Sequence, residues 1–134
     1  TITGVSGTGS VGTVTASGTA VSSIAATYTV TVASYLGYNK YYIDGVRQDT
    51  VSLSEGSTYR FDQSDSSNSG HPLRFSTTSG GTHSGGSQYT TGVTSSGTPG
   101  SSGAYTQITV ASGAPTLYYY CTNHSGMGGQ ANTP

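Results

Sequence analysis

Charge is scarce in this sequence, and the charges present are scattered. Lysine and arginine number 4 and aspartate and glutamate 5 among 134 residues, so the formal net charge is -1. The basic patch of a nucleic-acid-binding protein is therefore missing. No run of about 20 apolar residues occurs, as a membrane-spanning helix would need. We expect no nucleic-acid partner and no membrane span.

Cysteine is almost absent, and so is the periodicity of a helix. The single cysteine, Cys121, excludes a disulfide within the chain. No stretch repeats apolar residues at the three- and four-residue spacing of an amphipathic helix. Low charge combined with abundant serine, threonine and glycine fits an extracellular, periplasmic or virion-surface protein, and we expect one of these locations.

Short segments that alternate polar and apolar residues recur along the chain. TYTVTV (residues 27–32) and TYRFD (residues 58–62) alternate as half-buried strands do. Further strand-like segments read KYYID, TVSL, LRFST, AYTQITV and TLYYY. Glycine, serine and proline separate the segments, as turns do at spacings of roughly 8–12 residues. The pattern predicts an all-β fold, a sandwich or a barrel.

Two stretches rich in glycine, serine and threonine stand apart from these strands. The N-terminal one is nearly free of charged and aromatic side chains, and we interpret residues 1–36 as a β arm, a hairpin or the tail of a preceding domain. Residues 37–134 would then form the β domain. Residues 79–103 predict a long loop interrupted by QYTTGV.

Three chemically related residues lie close together in LYYYCTNHSGMGG. Cys121, His124 and Met127 follow one another at three-residue intervals after a predicted strand. Thiolate, imidazole and thioether together favour copper, whereas zinc rarely takes a thioether and hard cations prefer oxygen. The alternative is a buried cysteine, a surface histidine and a core methionine without a joint role. A blue-copper site needs two histidines, so one ligand is missing from this segment.

His71 and His83 are the candidates for the missing ligand. His71 opens HPLRFS, a predicted core strand, whereas His83 lies in GGTHSGGS, where glycines fix no geometry. A preorganised ligand needs a rigid base, which favours His71. In LYYYC, Cys121 shares a strand face with Leu117 and Tyr119, so it reaches the end of the core if that face points inward.

The sequence resembles the cupredoxins, the small blue-copper proteins that include plastocyanin and amicyanin. The C-x-x-H-x-x-M spacing is similar to the amicyanin loop, and GSTYRFD, GHPLRFS and LYYYCTNHSGMGG match a cupredoxin-like pattern over roughly residues 38–130. The resemblance implies an antiparallel Greek-key β-sandwich that binds one type 1 copper through His71, Cys121, His124 and Met127. It also implies single-electron transfer with a redox partner protein, and no enzymatic activity.

The resemblance has one departure beside the first ligand. Plastocyanin-type sites place asparagine directly after the first histidine, where it braces the loop and the cysteine sulfur. This chain has Pro72 at that position. Because hydrogen bonds around the ligands tune a metal, we expect a copper affinity and a reduction potential that differ from those of plastocyanin-type sites.

A second resemblance concerns the N-terminal segment. GVSGTGSVGTV is similar to structural proteins of marine phages, especially those that infect cyanobacteria. This resemblance implies an alternative function, a virion or surface module that decorates a capsid or tail, with the copper structural or absent. Its partners would be assembly neighbours, including a possible homo-oligomer through residues 1–36.

Overall fold

Eleven strands and two short 3₁₀ helices make up the part of the chain that the computed structural model describes, residues 23–134. The strands are β1 (Ile24–Tyr35), β2 (Tyr38–Ile43), β3 (Val46–Arg47), β4 (Val51–Ser52), β5 (Thr58–Asp62), β6 (Leu73–Ser76), β7 (Gln88–Tyr89), β8 (Val93–Ser96), β9 (Tyr105–Thr109), β10 (Leu117–Cys121) and β11 (Gly129–Asn132). The 3₁₀ helices are Ser66–Asn68 and Gly81–Ser84.

The strands form two sheets, which confirms the predicted all-β sandwich. One sheet has the order β3-β2-β1-β5-β9-β8 and the other β4-β11-β10-β6-β7. Most neighbouring strands are antiparallel, as expected, but β1 and β5 are parallel, and so are β11 and β4. The segment between β1 and β5 carries β2, β3 and β4, so the chain re-enters the first sheet in its original direction.

The first described strand lies inside the segment that we interpreted as an arm. β1 pairs with β2 on one side and with β5 on the other. Residues Ile24–Tyr35 therefore belong to the sandwich, and the boundary expected after residue 36 falls in the turn between β1 and β2. The interpretation of residues 1–22 as arm, hairpin or preceding-domain tail concerns a part of the chain outside the described residues.

The core lies between the two sheets and ends at the metal-ligand candidates. The rings of Phe61 and Phe75 meet there edge to face, with centroids 5.4 Å apart. Leu117, Tyr119 and Cys121 are each at most 1% exposed, so the inward face predicted for LYYYC is confirmed. Burying a large apolar side chain contributes about 1.5–3 kcal/mol, so this row firmly anchors β10 to the core.

The glycine-rich stretch 79–103 contains more regular structure than the expected loop. It holds the 3₁₀ helix Gly81–Ser84 and the strands β7 and β8. β7 pairs with β6, and β8 pairs with β9, so each extends one sheet at its edge. Within residues 23–134, no helix is long and apolar enough to cross a membrane.

Candidate metal centre

Two adjacent strands bring Cys121 and His71 to the same end of the sandwich. Cys121 is the last residue of β10 and pairs with Leu73, the first residue of β6. His71 precedes Leu73 by two positions. The ladder continues one step further, because the Thr122 N–H donates to the Pro72 carbonyl at 3.1 Å. The ligand candidates are therefore 50 positions apart in sequence and adjacent in space.

Two imidazole nitrogens converge on the cysteine sulfur. Cys121 Sγ lies 3.6 Å from Nδ1 of His71 and 3.6 Å from Nδ1 of His124. The ring centroids of the two histidines are 4.6 Å apart, and one ligand atom from each of the three residues lies within 4.8 Å of the others. Cys121 and His71 are buried, whereas His124 is exposed. The cluster therefore has one solvent-facing edge.

These separations match those around a single bound ion. A metal with bonds of about 2.3 Å to sulfur and about 2.0–2.1 Å to nitrogen places two near-tetrahedral ligands roughly 3.6 Å apart. The two sulfur–nitrogen distances have this value. One thiol and two imidazoles in this arrangement can hold a metal ion that favours nitrogen and sulfur donors.

Met127 is buried in the same core cluster as Cys121. Its side chain is 1% exposed, and it lines an open groove together with His124. Its carbonyl accepts a hydrogen bond from the Tyr41 N–H of β2 at 2.9 Å, which links the loop to the opposite sheet. A thioether is a soft donor of the kind that copper accepts, so Met127 is a candidate fourth ligand.

The glycine after Met127 has a packing requirement. A Cβ atom at Gly128 would lie 1.6 Å from the carbonyl oxygen of Tyr119. No side chain can be accommodated so close to backbone, so the loop can return against β10 only with glycine here. This close return carries the chain from Met127 into β11, which begins at Gly129 and pairs with Tyr119.

A buried polar network holds the backbone of His71, and no sequence pattern indicates it. The His71 carbonyl accepts from the Tyr41 hydroxyl at 2.6 Å and from Gln63 Nε2 at 2.7 Å. Gln63 also accepts from the Leu73 N–H at 2.9 Å and donates to Asn68 Oδ1 at 3.0 Å. Gln63 and Asn68 are at most 1% exposed. Such residues look like surface residues in a sequence, because nothing local marks them as buried.

A hydrogen bond from the opposite loop braces the segment beside His71. Pro72 has no N–H to donate, but the side-chain amide of Asn123 donates to the Gly70 carbonyl at 3.0 Å. Asn123 adjoins His124, and Gly70 adjoins His71. The bond therefore links the two histidine-bearing segments directly.

Burial sets the protonation preferences inside the site. Desolvation, and to a lesser extent the nearby His124 ring, lowers the pKa of His71. Burial, together with the neighbouring Cys121, raises the pKa of the Tyr41 hydroxyl. At neutral pH His71 therefore keeps a free lone pair, as a metal ligand must, and Tyr41 remains a hydrogen-bond donor.

His83, the alternative candidate, does not join the cluster. Its ring nitrogen Nε2 lies 2.8 Å from the carbonyl oxygen of Cys121, a backbone atom. The structure thus brings His71, Cys121 and His124 together and places His83 at their margin.

Comparison with known proteins gives no family for this chain. No protein-family model and no curated protein matches it. The geometry of the cluster is therefore the basis for a functional assignment.

Proposed function

We propose that the protein is a cupredoxin domain that binds one copper ion through His71, Cys121, His124 and Met127 and transfers single electrons. The observation that supports this most is the placement of both Nδ1 atoms at 3.6 Å from one buried sulfur. The buried methionine in the same cluster adds the fourth donor.

The donor set favours copper over the other common ions. Zinc accepts thiolate and imidazole but rarely a thioether, and calcium and magnesium require oxygen ligands. Among the described residues 23–134, the cluster of His71, Cys121 and His124 contains no carboxylate. When bound to such a set, copper accepts and releases one electron.

Each ligand side chain would have a different role in such a site. Cys121, completely buried, supplies a thiolate shielded from water, and His71 contributes an imidazole on a backbone that two hydrogen bonds hold in place. His124, at the exposed edge, is the route by which an electron enters or leaves. Because Cys121 ends β10 and the other ligand candidates lie in short segments next to β6, β10 and β11, little rearrangement accompanies the change of oxidation state.

This proposal assigns the protein a role without catalysis of its own. It would exchange electrons with a redox partner at the His124 edge, in an extracellular, periplasmic or virion-surface setting. The low charge of the chain, with a formal net charge of -1, is the compositional basis for that setting.

Addition of Cu(II) to the purified protein tests the proposal. We expect one equivalent to bind and to produce the intense visible absorption of a thiolate-to-copper charge transfer. Cys121→Ser should abolish the band while leaving the fold intact by circular dichroism. Met127→Leu, which keeps the side-chain volume, should retain a thiolate band with an altered spectrum. A wild-type protein that stays colourless with Cu(II), or whose band survives Cys121→Ser, would refute the assignment.

A further inference from the structure

His83 contacts the backbone at the end of β10. The pairing of β10 with β11 ends at Tyr119, two residues before Cys121. Beyond that point, the Cys121 carbonyl oxygen lies 2.8 Å from His83 Nε2. Because a carbonyl oxygen can only accept, the proton of the ring resides on Nε2, which donates it.

The loop that carries His83 is shaped to reach this carbonyl. A Cβ atom at Gly81 would lie 2.4 Å from the ring of Tyr120, so the loop approaches β10 as closely as glycine permits. Gly80 and Gly85 flank the 3₁₀ helix Gly81–Ser84 in left-handed conformations, with φ of 84° and 83°. The His83 ring then stands edge-on to Tyr120, with centroids 6.3 Å apart.

We propose that His83 is a positioning residue for the metal centre, which holds the Cys121 end of β10 in place and favours the reduced state of the bound metal. Only the claim that His83 favours the reduced state rests on the proposed copper-binding function. The claim that His83 holds the end of β10 concerns a hydrogen bond within this chain and is independent of any metal.

The favouring of the reduced state follows from electrostatics. The Nε2–H bond directs the positive end of a dipole toward the backbone of the thiolate ligand, within a few bonds of the sulfur. Positive potential near a metal stabilises the form that carries the extra electron, and hydrogen bonding around the cysteine ligand tunes the reduction potential of blue-copper sites. Because Pro72 has no N–H, the backbone after the first histidine cannot supply such a donor.

Two substitutions separate the hydrogen bond from the bulk of the side chain. His83→Leu removes the donor, whereas His83→Gln retains an N–H of similar reach. Thr82→Ala is the matched control, because Thr82 is exposed in the same 3₁₀ helix. Among the described residues 23–134, no hydrogen bond joins Thr82 to Cys121. His83 is exposed, so all three variants should fold.

The metal-free protein gives the first measurement, the rate at which an aromatic disulfide reagent modifies Cys121. The thiol is fully buried, so modification requires local opening of the strand end. We expect His83→Leu to react roughly two- to tenfold faster than wild type, the range that one hydrogen bond commonly contributes. His83→Gln and Thr82→Ala should react at close to the wild-type rate.

The copper-loaded protein gives the second measurement, the reduction potential. His83→Leu should lower the preference for Cu(I) over Cu(II) by roughly two- to tenfold, the tenfold limit corresponding to about 59 mV for one electron. His83→Gln should restore most of the change, which a loss of packing alone would not explain.

The outcomes separate this proposal from the proposed function. Equal thiol reactivity and equal potential in wild type and His83→Leu would overturn the role of His83 while the copper site stands. A wild-type protein without a copper band would refute the proposed function and the electrostatic half of this inference. The thiol measurement would then decide the positioning role on its own.

Discussion

His71 depends on polar residues that are themselves buried. Gln63 connects the His71 carbonyl, the Leu73 N–H and the Asn68 side chain, so one amide fixes the backbone on both sides of Pro72. Buried polar groups are tolerable when their partners are complete, and costly when one partner is lost. The position of the first ligand is therefore as sensitive to Gln63 as to the apolar packing around it.

Replacement of Gln63 by leucine should destabilise the protein by about 2–4 kcal/mol, because it leaves the Leu73 N–H and Asn68 Oδ1 buried without their partner. Urea denaturation of the metal-free protein measures this loss. Gln130→Leu is the matched control, because Gln130 is exposed and its change should stay within about 0.5 kcal/mol. Equal effects of the two substitutions would show that the buried network contributes nothing to stability.

The element that carries most of the candidate site, β10 with its following loop, could be predicted from sequence. The alternation in LYYYC indicated which side chains share a face, and the spacing of Cys121, His124 and Met127 indicated a shared site. Alternation identifies faces but not partner strands, so the parallel pairing of β1 with β5 was not foreseen. Gln63, Asn68 and the contact of His83 were equally invisible, because each depends on residues distant in sequence.

The 3₁₀ helix Ser66–Asn68 connects the network around His71 to a titrating group. Asp65 caps this helix and accepts a hydrogen bond from the Ser67 N–H at 3.1 Å. Hydrogen bonds from Ser67 lower the pKa of the Asp65 carboxyl below its ordinary value. Asn68, in the same helix, donates to the Val30 carbonyl at 2.7 Å, so the cap also supports a contact with β1.

Acidification should weaken the contribution of this cap. Because the pKa of Asp65 is lower in the folded than in the unfolded protein, its stabilisation is present above the unfolded value of about 3.9 and is lost as pH falls through the folded value. Asp65→Asn still caps but does not titrate. The stability difference between wild type and Asp65→Asn, measured by urea denaturation, should therefore shift against wild type below about pH 4. A difference that stays constant with pH would contradict this account.

At the scale of the whole molecule, both sheets are needed to form the site. The ligand candidates lie on or beside β6 and β10, whereas Tyr41, from β2 of the other sheet, donates to both the His71 and Met127 carbonyls. β1 lies between β2 and β5 and so belongs to the same framework. The boundary of the minimal copper-binding unit is therefore expected before Ile24.

Truncation tests this boundary and the assembly alternative together. Removal of residues 1–22 should leave copper affinity unchanged, because every contact described around the site lies within residues 23–134. Removal of residues 1–35 should unfold the domain, since it deletes β1. If the N-terminal segment joins copies in a virion or surface assembly, the shorter truncation should also lower the sedimentation coefficient. Loss of copper binding on removal of residues 1–22 would contradict the expected boundary.

The central claim is that one copper ion sits between Cys121, His71 and His124. X-ray absorption spectroscopy at the copper edge, on protein loaded with one equivalent, tests it most directly because it reports the atoms bonded to the metal. We predict one short copper–sulfur distance and two imidazole nitrogens, with the sulfur contribution lost in Cys121→Ser. Copper surrounded by nitrogen and oxygen alone in the wild-type protein would contradict the account.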